Sequence, residues 1–447
     1  MLAAAGALAA AGCRPAAEER PWNVVVLLPD TLRADHLGAY GYGRDTSPGL
    51  DALAAEGVVF ESARAQASCT FPSVNSLLTS RDPARFLGRP AGHVGIPEEV
   101  PTLAGVLAAH GYATAAVSAS PIVRATPTEV NREGGFGRGF RTFDEACLWR
   151  EAECVNLRAA AVLETLPQPF FLYLHYMDPH DPYRPPAGAP RRFAGDYEGE
   201  HAWVAEGDPN PLAERVYGDG GLDGVDGADV AHLVDLYDDE IAYWDREAAR
   251  FLAGLDGKGL LERTVVAVVS DHGESFLEAG HLKHCRTLHD REIRTPFVLR
   301  LPGSAARGVR VAAPAANLDL VPTLLDAVGI EPPPGLEGRS LLPWVDAAAQ
   351  GVAPAGGGER VVFGAIDSLR AATDGRFKLI HDLRTGESVL HDLASDPAET
   401  RDVLAPNRRA YHRLRRAMDA RLAELDGGAL DESEDAQRQL RALGYLQ

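Results

Sequence analysis

Thr264-Val-Val-Ala-Val-Val-Ser-Asp-His-Gly-Glu274 is the stretch whose reading decides the fold. From Val265 to Val269 it is an unbroken, mostly β-branched apolar run. Such a run reads as a strand covered on both faces, as in the middle of a parallel sheet. It stops at Ser270, and Asp271, His272 and Gly273 follow at once. Open α/β sheets gather ligands at the carboxyl ends of their strands. A carboxylate beside an imidazole at that point is therefore a pair of candidate metal ligands.

Two other runs have the same form. NVVVLL, from Asn23 to Leu28, ends in Pro29-Asp30-Thr31, and FFLYLHYM, from Phe170 to Met177, ends in Asp178-Pro179-His180. The predicted fold is α/β, a large mixed, mainly parallel sheet flanked by helices. Helices are expected from about Ser47 to Gly57, Pro72 to Thr79, Thr102 to His110, Asp229 to Leu255 and Asp319 to Val328. Tyr112 to Ala119 and Pro296 to Arg300 read as further strands. The stripe Leu233, Leu236, Ile241, Trp244, Ala248, Leu252 on the long helix reads as core. Residues 121–150 read as irregular and 184–228 as an excursion over the active face, and both are expected to carry specificity. From about Val361 the short alternating segments LRAATDG, FKLIHDL and SVLHDL predict a small C-terminal antiparallel sheet, followed by a helix from Pro406 to Leu425. The expected division is a leader (1–20), a catalytic α/β domain (21–360), a C-terminal subdomain (361–425) and a tail (426–447).

The bulk numbers fit a globular chain: 447 residues, 45% hydrophobic and 24% charged. A formal charge of −20 argues against nucleic acid or an anionic membrane as partner. A small anionic substrate is compatible with it, because a metal ion reverses the field inside a pocket. MLAAAGALAAAG runs directly into Cys13, like the end of a secretory h-region. Ala-Gly-Cys there resembles a bacterial lipoprotein signal, although no basic n-region precedes it. The expectation is an exported bacterial protein, periplasmic or lipid-anchored, touching membrane only through Cys13. Nothing else approaches the about 20 apolar residues of a membrane-spanning helix. Cys147 and Cys154 are close enough in sequence to pair in an oxidising compartment.

Pro72 suits the first turn of its helix, which leaves Thr70 at the N-terminus. An anion beside Thr70 would meet free N–H groups and the positive end of the helix dipole. On this segment alone a simple helix cap is the plainer reading, just as a surface loop histidine is for His180. Together, Asp30, Thr70, Asp271 and His272 would hold a divalent metal that acidifies the hydroxyl for nucleophilic attack.

These residues resemble the sulfatase family of the alkaline phosphatase superfamily. The resemblance covers nearly the whole chain, from Trp22 to Gln447. It is carried, in family order, by NVVVLLPDTLRADHLGAYGYGRDTSPGLDALAAEGVVF, TFPSVNSLLTS, YLHYMDPHDPY, YDDEIAYWD, VVSDHGESF and HDLASDPAET. It implies that Asp30 is the family's first metal aspartate, that Asp271 and His272 are its late metal pair, and that Thr70 fills the nucleophile slot. It also implies that His180 contacts the ester or leaving group, and that Lys283 or His284 supplies the basic residue against the transferred oxygens. Thr70 stands where formylglycine-forming members need Cys or Ser, Val74 replaces the motif's Arg, Thr31 replaces a second Asp, and His272 replaces the Asn of calcium enzymes. Fewer hard oxygen donors and one nitrogen favour Zn²⁺ or Mn²⁺, with Ca²⁺ the alternative. A Thr nucleophile with Asp and His ligands looks like the superfamily's phosphodiesterases and phosphoethanolamine or phosphoglycerol transferases. No Asp-x-x-x-His pair of the nucleotide pyrophosphatase kind is present, so one metal ion is expected. The functional expectation is hydrolysis of phosphoric or sulfuric esters through Thr70, phosphodiesters foremost, with a lipid headgroup or a glycan ester as the substrate class. A sulfatase working without formylglycine is the alternative, and a non-catalytic anion-binding surface protein is a third reading, which the intact Asp30, Asp271 and His272 disfavour. Cys69 and Cys285 adjoin Thr70 and His284 and are expected to meet at the rim of the site.

Overall fold

The computed structural model describes residues 21–85, 96, 98–127, 135–149, 151–186, 188–195, 197, 224–278, 280–303, 306–352, 354 and 360–425. The expected leader with Cys13, the tail 426–447 and the middle of the 184–228 excursion lie outside them.

The apolar runs form strands for the reason given by their composition: residues with branched or aromatic side chains favour extended backbone, and burial on both faces rewards an all-apolar sequence. In chain order the strands are β1 (Asn23–Pro29), β2 (Val58–Arg64), β3 (Ala113–Ser118), β4 (Thr142–Asp144), β5 (Phe170–Tyr176) and β6 (Thr264–Val269). They continue with β7 (Ser275–Phe276), β8 (Leu282–Lys283), β9 (Phe297–Arg300) and β10 (Val309–Ala316). Eight of them make one sheet in the order β10-β2-β9-β6-β1-β5-β3-β4. Only β9 runs antiparallel to its neighbours β6 and β2, so the sheet is mixed and mainly parallel. β7 and β8 pair separately as a short ribbon.

Alternate residues of β1 enter two separate cores. Val24, Val26 and Leu28 pack with the helices Thr70–Thr79, Leu103–Ala109, Leu320–Val328 and Leu342–Ala349. Val25 and Leu27 face Pro48–Ala55, Ala152–Leu163 and the long helix Gly227–Gly257. Each such side chain removed from water contributes about 1.5–3 kcal/mol. Of the stripe read as core on the long helix, Leu233, Leu236, Ile241, Trp244 and Ala248 are buried and Leu252 packs against them partly covered.

A second sheet, β11 (Val362–Ile366), β12 (Leu369–Thr373), β13 (Phe377–Asp382) and β14 (Ser388–Asp392), is an antiparallel meander. Its Ala372, Leu379 and Leu390 are covered by Ala410, Leu414 and Met418 of the helix Arg408–Glu424. Residues 121–150, read as irregular, contribute the edge strand β4, which pairs with β3.

Strand register positions the site. Leu27 of β1 lies opposite Val268 of β6 and opposite Leu174 of β5. Counting three residues on from Leu27 and Val268 brings Asp30 and Asp271 to the same carboxyl edge. The chain leaves that edge of β6 through Gly273, where a methyl group would collide with the carbonyl oxygen of Arg291. Only glycine permits that approach.

Candidate active site

Asp30 and Asp271 extend from two neighbouring strands, are 1% and 0% exposed, and with His272 form a group whose ligating atoms lie within 4.8 Å of one another. Thr70 completes the cluster: its Oγ1 is 3.1 Å from His272 Nε2 and 3.5 Å from Asp30 Oδ1. The helix-cap reading of Thr70 is corrected here. The capping position belongs to Cys69, and Thr70 is the first residue of the helix with its hydroxyl turned to the cluster. Cys69 is bonded to Cys285, and Cys147 to Cys154.

Burial pushes both carboxyls up. At Asp30 a hydrogen bond from His175, with the positive field of His180 and His272, outweighs burial and holds the group well below the usual carboxylate range. At Asp271 burial and the Asp30 charge win, and its affinity for a proton is raised. Asp271 Oδ2 is buried without a hydrogen-bond donor. Two close buried carboxylates, one with an orphaned oxygen, beside an imidazole and a hydroxyl are a donor set that a divalent cation fits.

Histidines surround this group. His284 lies tilted 4.5 Å from His272 and edge-on 5.1 Å from His180, ring centre to ring centre. Burial and then repulsion from His180 push His284 down to about 4. Its Nδ1 lies 3.0 Å from Glu274 Oε1. Burial and then the Asp181 charge push Glu274 up to about 8. His180 behaves oppositely: burial opposes protonation, but Asp181, Asp30 and Glu274 raise its affinity for a proton. Its Nδ1 donates to the Asp181 carbonyl at 2.6 Å. Lys283, on β8, reaches Asp181 Oδ2 at 2.7 Å, so its charge meets the cluster through Asp181.

The structure thus brings together Asp30, Thr70, Asp271, His272, His180 and His284, with Lys283 at the margin. Asp178 does not join them. It is 7% exposed and directed to Glu240 on the long helix, where burial raises it to about 7. Four residues that sequence reasoning missed belong to the site. His175 Nε2 is 3.2 Å from Asp30 Oδ2, and the Tyr173 hydroxyl lies 2.8 Å from His175 Nδ1. Glu274 and Asp181 set the two imidazoles apart. A histidine inside the otherwise apolar FFLYLHYM was the available signal for His175.

The family model for Sulfatase matches residues 22–330, and that for N-sulphoglucosamine sulphohydrolase, C-terminal, matches 279–427. The chain is similar to the ulvan-active sulfatase of Formosa agariphila, 25% identical over 95% of this chain and 84% of that protein. It is 28% identical to human arylsulfatase A over 72% of this chain and 68% of that protein. In fold it resembles the phosphonate monoester hydrolase of Agrobacterium radiobacter, with a TM-score of 0.70, 21% identity and coverage of 91% of this chain and 96% of that one.

Proposed function

The chain belongs to the sulfatase family of ester hydrolases, and on that premise we propose that it cleaves small anionic esters by attack of the Thr70 hydroxyl, with phosphodiesters the favoured substrates. The placement of Thr70 carries this reading: a hydroxyl at a helix N-terminus, within 3.1 Å of His272 Nε2 and 3.5 Å of Asp30 Oδ1. Threonine cannot become the aldehyde that sulfate-cleaving members form from Cys or Ser, whereas a threonine alkoxide is a competent nucleophile at phosphorus. A divalent ion held by Asp30, Asp271, His272 and Thr70 would acidify the hydroxyl and offset the charge of the ester oxygens. One imidazole and few hard donors favour Zn²⁺ or Mn²⁺ over Ca²⁺.

The chain's own groups divide the remaining work. The helix N-terminus at Thr70 attracts the anionic ester. Neutral His284, hydrogen-bonded to Glu274, accepts the hydroxyl proton. Thr70 Oγ1 forms a bond to phosphorus as the P–O bond to the alcohol breaks, and His180 gives that alcohol its proton. Water then attacks the phosphothreonine, giving its proton to His180, and as the bond from phosphorus to Thr70 Oγ1 breaks His284 returns the proton to Thr70; an acceptor alcohol in place of water makes the reaction a transfer.

A second reading, sulfate ester hydrolysis by the same threonine, is favoured by the named relatives, which are sulfatases. An aryl phosphodiester, an aryl phosphomonoester and an aryl sulfate, assayed side by side with Mn²⁺ or Zn²⁺, separate the two. Phosphodiester turnover is expected to dominate and to fall by roughly a thousandfold or more in Thr70→Ala. Dominant sulfate turnover would transfer the assignment to the second reading, and activity surviving in Thr70→Ala would remove Thr70 as nucleophile.

Residues 21–360 are read as the catalytic domain and 361–425 as a C-terminal subdomain. Two disulfides support residence in an oxidising compartment outside the cytoplasm, with residues 1–20 as the export leader and Cys13 as the anchor. No helix among the described residues is long and apolar enough to cross a membrane.

A further inference from the structure

Trp149 is 53% exposed, the only large apolar aromatic among the described residues to be so open. Its position is built. Its backbone N–H donates to the Ala119 carbonyl at 2.9 Å, at the carboxyl end of β3. The neighbouring Cys147 is fully buried and bonded to Cys154 at the start of the helix Ala152–Leu163. The Trp149 backbone is left-handed, φ 56°, a conformation that costs a bulky residue about 1–2 kcal/mol and that glycine would adopt freely. The indole meets His180 edge-on, with ring centres 5.9 Å apart. From solvent inward the rings run Trp149, His180, His284, His272, at 5.9, 5.1 and 4.5 Å, and end on Asp30 and Asp271.

We propose that Trp149 is the platform for the leaving alcohol of the ester, and that this alcohol carries a ring with a flat apolar face, aromatic or pyranose. The proposal rests on the role of His180 as the acid that protonates the leaving group. Among the described residues, the indole is the exposed aromatic surface beside His180, where such an alcohol would lie. An uncharged indole adds little to binding of the anionic group, so its contribution falls on the alcohol. Flat rings stack on tryptophan through dispersion and the ring quadrupole. An indole that merely braced His180 would serve every ester alike, and that difference is measurable.

The experiment is calorimetric binding in the Thr70→Ala background with Mn²⁺, so that turnover does not intrude. The probes carry phenyl, methyl glucopyranoside 6-O and ethyl groups, each as a methyl phosphodiester and as a sulfate monoester. Trp149→Ala is expected to weaken the phenyl or glucosyl probe about tenfold, by analogy with loss of a stacking platform. Trp149→Phe restores most of the phenyl affinity, and the ethyl probe changes less than twofold in either variant. The phenyl and glucosyl arms tell an aryl alcohol from a sugar. Equal weakening of the ethyl probe, ring-bearing probes indifferent to Trp149→Ala, or no binding of any ring-bearing probe to the Trp149 protein would each overturn the proposal. Should only the sulfate probes bind and show the expected pattern, the phosphodiester preference falls while the role of Trp149 stands.

Discussion

Thr31 follows Asp30 in left-handed backbone, φ 57°, with its hydroxyl buried and lacking a hydrogen-bond partner. Its N–H donates to Asp271 Oδ1 at 3.3 Å, so residue 31 lies beside the carboxylate pair. Aspartate tolerates this backbone better than β-branched threonine, and it would add a hard oxygen donor. Thr31→Asp is therefore expected to shift metal preference toward Ca²⁺ over Mn²⁺ by about tenfold. Competitive titration calorimetry reads that ratio, and an unchanged ratio would place side chain 31 outside the metal's reach. The residues at strand ends were legible in the sequence because an apolar run that halts at Asp or His marks a sheet's carboxyl edge. His175 was not, because it lies within the run, and only the register with Leu28 shows it beneath Asp30. Glu274 was quoted in the deciding stretch without a role. Its meaning depends on His284, ten residues on, which the β7–β8 ribbon folds back against it.

At the scale of elements, the site is a junction of segments that are distant in sequence. The Cys69–Cys285 bond joins the start of the Thr70 helix to the segment that carries His284, across 216 residues. Both half-cystines are 4% exposed. Replacing both by serine is expected to lower kcat about tenfold at a temperature well below unfolding, beyond the 2–5 kcal/mol of stability such bonds commonly contribute. An unchanged kcat in that range would mean the bond serves the fold alone. The central strands and the long helix were legible because period and length agreed. The helix Ala152–Leu163 was not assigned, since AECVNLRAAAVL buries only Ala152, Val155 and Ala159. β2 and β10 also went unread: VVFESAR turns polar midway, and VRVAAPAA carries a proline and pairs with a register shift. Of the two, β10 is the sheet's edge strand and β2 its neighbour; an edge strand needs less hydrophobic sequence, and so it signals less.

Across the whole molecule, the C-terminal sheet reaches back to the segment behind the site. Lys378 of β13 is fully buried and pairs with Asp290 at 2.8 Å and Glu399 at 2.5 Å, while Arg64 of β2 meets Asp290 at 2.7 Å. Burial opposes the charge on Asp290, but Arg64 and Lys378 hold it far below the usual carboxylate range. The same seam disfavours protonated histidine: burial, then Lys378 and His391, push His289 down to about 3. Unfolded histidine takes up its proton near pH 6.5. Between there and about pH 3 the unfolded chain binds more protons at this position, so stability falls as pH drops. By pH 5 the loss from His289 is at most about 2 kcal/mol. Urea midpoints from pH 7.5 to 5 should fall less steeply in His289→Asn, and parallel slopes would show that His289 protonates freely in the folded protein. The central position of β1 has a consequence for synthesis. Asn23 pairs with Thr264, 241 residues later. At 5–20 residues per second the ribosome takes roughly ten to fifty seconds to deliver the partner strand. Through that interval NVVVLLP is a bare strand with no neighbour on the β6 side, a form that invites association with other chains. The nascent chain is therefore expected to stay incompletely folded until β6 has been made. A chain cut before Thr264 is expected in the pellet, and recovery of such a fragment as a soluble monomer would show that β1 finds shelter elsewhere.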